Sequence, residues 1–107
     1  MEKNRLKSSL DWCGILKTLA DENRLQIINE LLIKESSVNN LADALGMKVY
    51  NISRHLKILE SGGLVNKRKE GNRRIYKITD SLKSRLSDDK QILDLGCCKF
   101  MFKNLKN

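Results

Sequence analysis

"GMKVYNISRHLKILESGGLV", residues 46–65, decides the fold. Val49, Ile52, Leu56 and Leu59 recur at three- and four-residue intervals, so the spacing predicts a helix buried along one side. Glycine stands at both ends. Gly46 supplies a turn that a β-carbon would resist, and Gly62-Gly63 stops the helix. The opposite side carries Lys48, Tyr50, Asn51, Ser53, Arg54, His55 and Lys57. A helix introduced by a glycine turn and presenting such a face is expected to be the second helix of a helix-turn-helix.

The flanking sequence completes that unit. Ser8 or Ser9 is expected to cap a first helix with Leu10, Cys13, Leu16, Leu19 and Ala20 as its apolar stripe. Asp21 is expected to cap a second, with Arg24 inside it and Leu25, Ile27, Ile28, Leu31 and Leu32 as its apolar set. "KESS", residues 34–37, breaks the pattern, and Ser36 or Ser37 opens a third helix holding Val38, Leu41, Ala42 and Leu45. Beyond Gly63, "LVNKRK" and "RRIYKI" alternate with a period near two around "EGN", residues 70–72. That is the signature of a tight β-hairpin. Asp80 is expected to cap a last helix through Leu82, Leu86 and Leu93.

Helix, helix, short helix, turn, helix, hairpin, helix is a winged helix-turn-helix: mostly α with a small β-hairpin, in the order α-α-α-α-β-β-α. With 107 residues, no proline and no repeat, the chain reads as one domain over 1–107. Its recognition helix falls at about 48–61, its wing at about 64–78, and a C-terminal dimerisation helix with a cysteine tail at about 80–107. A core of this size favours pairing into a homodimer. The sequence contains no apolar run of membrane-spanning length and no signal-peptide pattern, so a cytoplasmic location is expected.

Charge sharpens the functional reading. The net charge is +8, and residues 48–77 hold nine basic side chains against only Glu60 and Glu70. Seven of the eight net charges therefore sit on the recognition helix and the wing, an electrostatic footprint for phosphates. Asn51 suits adenine and Arg54 guanine, since each offers two hydrogen-bonding atoms in the geometry those bases need. Tyr50 and Ser53 suit phosphates or bases, and Lys57 suits phosphates; Lys48 shares their face. Lys67, Arg73 and Arg74 place positive charge on the wing, where a neighbouring groove would meet it. His55, the single histidine, is expected either to face DNA or to pack the helix. A winged helix used only for protein contacts is the competing reading, and the focused charge opposes it.

"LKTLADENRLQIINELL", residues 16–32, and the run from Asn39 to Ile78 resemble the ArsR family of bacterial and archaeal metalloregulators; "ISRHLKILESGGLV", residues 52–65, is the most characteristic part. The resemblance covers roughly residues 10–80. It implies a homodimeric repressor on an inverted-repeat, double-stranded operator, released by a metal or metalloid. It also puts Ser53, Arg54 and His55 in the recognition helix, puts Arg73 and Arg74 at the wing, and implies a dimer interface made from the first and last helices.

The family's familiar sensor sites are missing. Where its cysteine box would open the third helix, this chain reads "SSVNNLAD", residues 36–43, and residues 80–95 contain no histidine for a zinc site. Cys13, Cys97 and Cys98 are the remaining soft ligands, and thiolates suit arsenite or antimonite. No cofactor is obligatory on this reading; the metalloid is an inducer, with Cys13 the least secure ligand. The same cysteines also fit plain core packing, beside Phe100 and Phe102, or a redox switch. "ILDLGC", residues 92–97, resembles the cofactor loop of a methyltransferase, but nine residues after Cys98 cannot complete that fold. An enzyme is not expected.

Overall fold

The computed structural model describes residues 12–88, 92–94 and 99–101. Among these, α1 spans Trp12–Leu19, α2 Glu22–Ile33, β1 Ser36–Ser37, α3 Val38–Leu45 and α4 Val49–Ser61. Then come β2 Val65–Glu70, β3 Arg73–Ile78, α5 Asp80–Lys83, β4 Ile92–Asp94 and β5 Lys99–Met101. No helix in the described residues is long and apolar enough to cross a membrane.

Side-chain caps set the starts of α2 and α3. The Asp21 carboxylate accepts from the Asn23 and Arg24 amides at 2.8 and 3.2 Å, satisfying two of the donors that open α2. Ser37 Oγ accepts from the Asn40 amide at 3.1 Å and opens α3. Gly46 ends α3 in the left-handed region at φ 65°, where its missing β-carbon removes the steric cost. That residue makes the turn of the helix-turn-helix.

The core runs through all four long helices: Ile15 and Leu19 of α1, Ile27, Ile28 and Leu31 of α2, Leu41 of α3, and Ile52, Leu56 and Leu59 of α4 are buried. Leu64, Val65, Tyr76, Ile78 and Leu82 close it from the hairpin side. On β2 only Val65 is buried, so the outer strand projects from the body as a wing. Its pairing with β3 runs in register from Val65↔Ile78 to Glu70↔Arg73, leaving Gly71 and Asn72 as the turn. The wing's root is pinned by the Thr79 hydroxyl, which donates to the Gly63 carbonyl at 2.9 Å.

Four features differ from expectation. β1 is a third strand, with Ser36↔Tyr76 and Ser37↔Ile75; "KESS" carries no alternating pattern long enough to announce two paired residues. On α1 the buried phase is Ile15 and Leu19, while Cys13 is exposed. An i, i+4 pair suffices to seat this short helix, and the Cys13 edge turns outward. Val49 is also exposed, because the first turn of α4 stands beyond the core.

The fourth difference is the C-terminal segment. The expected helix over about 80–93 is one turn, Asp80–Lys83, capped not by Asp80 but by Thr79, whose hydroxyl accepts from the Leu82 amide. The chain then reverses: the Ser87 amide donates to the Ile92 carbonyl at 2.8 Å and the Asp94 amide to the Arg85 carbonyl at 2.7 Å. Leu86 faces Leu93 as a β-bridge, and β4 pairs antiparallel with β5. Leu93 is fully buried. The seven-residue gap between Leu86 and Leu93 fits a helix stripe and a hairpin equally well, and cross-strand burial won. The described residues therefore contain no long C-terminal helix for a dimer interface. Cys97 and Cys98 lie outside the described residues.

Candidate nucleic-acid interface

The outward side of α4 and the wing bound two adjoining grooves. The larger, of about 570 Å³, runs between Val49, Tyr50, Ser53, Arg54, Lys57 and Glu60 of α4 and Lys67, Arg74 and Tyr76 of the hairpin. The smaller, of about 260 Å³, lies between Ser37, Val38 and Asn39 at the start of α3 and Asn72, Arg73 and Arg74 at the wing tip. Val49, Ser53 and Arg74 border both. The helix start therefore forms a ridge between two basic-walled channels.

Within the larger groove the side chains are partly preorganised. The Arg54 guanidinium lies 5.8 Å from the centroid of the Tyr50 ring, a cation–π contact that steadies a long cation. Tyr50 itself is 64% exposed. Lys67 is held by Glu60 at 3.2 Å, so one wing cation is oriented across the groove by the only acid in its wall. Lys48 is the N-cap of α4, and its side chain makes no capping hydrogen bond. The first amides of α4, at the positive end of its dipole, thus share the surface with a lysine, an arrangement suited to an anion.

The residues expected from the sequence fall into separate groups in the structure. Tyr50, Ser53, Arg54, Lys57, Lys67 and Arg74 come together on the larger groove, and Arg73 joins Arg74 on the smaller one. Lys48 is exposed at the helix start. Asn51 is half-buried and borders neither groove. His55 is only 7% exposed and takes the packing role, not the DNA-facing one.

The reason for His55 is a polar junction beneath α4. Arg24 Nε donates to the Thr18 carbonyl at 2.6 Å, its Nη1 lies 3.8 Å from the Asp21 carboxylate, and the same Nη1 sits 3.4 Å from His55 Nδ1. One guanidinium thereby joins the end of α1, the start of α2 and the middle of α4. Burial pushes the His55 pKa down, the Asp21 carboxylate opposes this, and the Arg24 and Arg54 charges add to the lowering. The imidazole is consequently neutral near pH 7, which leaves Nδ1 free to accept from Arg24. Desolvation pushes Asp21 up, but the Arg24 amide, the Arg24 charge and the Asn23 amide outweigh it and hold its pKa low. At the far end of α4, a β-carbon on Gly62 would lie 3.2 Å from Thr18 Oγ1, so helix and α1 meet closely there too.

Charge on the wing is also less uniform than its composition suggests. Arg68 pairs with Glu35 at 2.7 Å and Glu70 at 2.9 Å. The Arg68 hydrogen bond holds the Glu35 carboxyl below its ordinary range, and Glu35 and Glu70 hold the guanidinium charged. Glu35 lies outside the basic segment in sequence, so its neutralisation of Arg68 has no sequence signal. Asn39, Asn72 and Val49 were not among the expected contacts. A polar start to α3 and the turn residue of the wing could have flagged the first two.

No three His, Cys, Asp or Glu side chains among the described residues gather as metal ligands. Cys13 stands exposed on α1.

Comparison with known proteins identifies the architecture. Residues 21–67 match the family described as "Bacterial regulatory protein, arsR family". An HTH-type transcriptional regulator of Mycobacterium tuberculosis is 43% identical over 70 residues, 65% of this chain, and the chain spans only 31% of that relative's length. The transcriptional activator HlyU of Vibrio cholerae is 40% identical over 81 residues, covering 76% of this chain and 71% of HlyU. An arsenical resistance operon repressor of Staphylococcus xylosus is 32% identical over 91 residues, covering 81% and 88%. In structure, the homodimeric winged helix-turn-helix DNA-binding domain of a possible ArsR-family regulator from Mycobacterium bovis superposes with a TM-score of 0.63 at 39% identity, covering 71% of this chain and 68% of that one. The chain belongs to the ArsR family of bacterial regulatory proteins, a family of DNA-binding transcriptional regulators and not of enzymes.

Proposed function

We propose that this chain is a repressor that binds an inverted-repeat operator as a homodimer, with α4 in the major groove and the wing on the adjacent backbone. The observation that carries the reading is the pair of grooves walled by Tyr50, Ser53, Arg54 and Lys57 on one side and Arg73 and Arg74 on the other. In this arrangement Arg54 and Ser53 meet base edges, with Asn51 nearby, while Lys48, Lys57, Lys67, Arg73 and Arg74 meet phosphates. The homodimeric M. bovis domain supports the two-fold arrangement.

The signal enters through thiols. Cys97, Cys98 and Cys13 bind arsenite or antimonite, and the bound ion favours a dimer geometry that fits the operator poorly. The exposure of Cys13 supports access by an ion from solution, and the S. xylosus relative is by name an arsenical resistance operon repressor.

The test is selection of an operator from random duplex, followed by binding at several salt concentrations and then with arsenite. Sequence-specific binding of two copies, with affinity falling steeply with salt, is expected. Binding with no preference among duplexes overturns the operator reading. Arsenite is expected to lower operator affinity in the parent and not in Cys97→Ser or Cys98→Ser. Release that persists in both variants overturns the thiol assignment.

A further inference from the structure

We infer that Val49 is a specificity-determining residue that reads the 5-methyl group of one thymine in each operator half-site. The inference rests on α4 entering the major groove. Val49 is the first residue of α4 and is 46% exposed, while Ile52, Leu56 and Leu59, which continue its helical spacing, are buried. Ile58, also β-branched, is 44% exposed on the same helix but borders neither groove. Exposure alone therefore gives Val49 no role.

Its surroundings supply one. Val49 borders both grooves, at the ridge where helix start and wing tip converge. The neighbouring exposed apolar group, Tyr50, is engaged by Arg54 at 5.8 Å. Val49 has no polar atom to place and few rotamers to lose on docking. At the N-terminal turn of a recognition helix the facing surface is base edges, and the apolar feature there is the thymine methyl. Ser53 and Arg74, which border the same two grooves, would bracket that contact with polar groups.

The experiment uses the full chain and its selected operator, replacing each thymine singly by deoxyuridine, which removes only the methyl. At one thymine per half-site the parent is expected to lose about fourfold in affinity, the value of one buried methyl. In Val49→Ala the thymine-to-uracil ratio at that position is expected to fall to about one, while effects at other positions and the unfolding midpoint stay at parent values. If no thymine shows methyl dependence, or if Val49→Ala keeps the parent ratio, the methyl-reading role of Val49 is overturned and the DNA reading stands. If no sequence preference is found at all, both fall.

Discussion

The two sides of α4 are built from different rules. Inward, Ile52, Leu56 and Leu59 are buried in the core and His55 is buried beside Arg24. Outward, Val49, Tyr50, Ser53, Arg54 and Lys57 are exposed and border open grooves. A change on the inner side alters how much fold there is; a change on the outer side alters what the same fold recognises. Experiments that mix these two outcomes on one residue would break the division.

The largest effect is expected inside. Leu56→Ala removes a side chain with no solvent exposure and should cost about 2–5 kcal/mol in denaturant unfolding, through lost transfer energy and the cavity left behind. A loss of binding with unchanged unfolding would contradict the division at its strongest point. Arg54→Ala should do the reverse: operator affinity down by about 1–3 kcal/mol, with the denaturation midpoint at the parent value. Arg74→Ala, read as a phosphate contact, should lower affinity for all duplexes alike and flatten the log–log salt slope by about 0.9. Ser37→Ala removes the α3 cap and should cost about 1 kcal/mol of stability, since the Asn40 amide loses its partner.

The smallest effect sharpens the inner side. Because burial first, then Arg24 and Arg54, lower the folded pKa of His55, the unfolded chain takes up the proton more readily. The stability His55 contributes is complete above its unfolded pKa of about 6.5 and is lost as pH falls below that. Thermal melts between about pH 7.5 and about pH 5 should show a steeper decline for the parent than for His55→Gln. Asp21, whose pKa is lowered, adds its own loss only further down, in the carboxylate range.

Apolar spacing made α2, α3 and α4 legible in the sequence, because each buries a periodic face against the same core, and the turn residues Gly71 and Asn72 made the wing legible. It failed where partners decide. His55 looks like a surface residue until Arg24, 31 positions away, gives its ring a buried hydrogen-bond neighbour. Glu35 looks like a loop acid until Arg68 reaches it from the wing. Leu86 and Leu93 keep helical spacing yet meet across strands, and α1 buries Ile15 where the stripe through Cys13 was expected. Among site residues, the cluster on the larger groove was readable from charge and helix phase. Val49 was not, since an apolar side chain at helical spacing reads as core until the geometry shows that the first turn overhangs it.

Ser37 does two jobs at once: it pairs with Ile75 in the sheet and its hydroxyl caps α3. The wing and the helix-turn-helix are thereby tied by Ser37, alongside the Ser36–Tyr76 pair and the Lys67–Glu60 contact. Their separation acts as a fixed gauge. A half-site must present its groove edge and its flanking phosphates at that one spacing, so inserting a base pair between them should be penalised more heavily than changing a base within either.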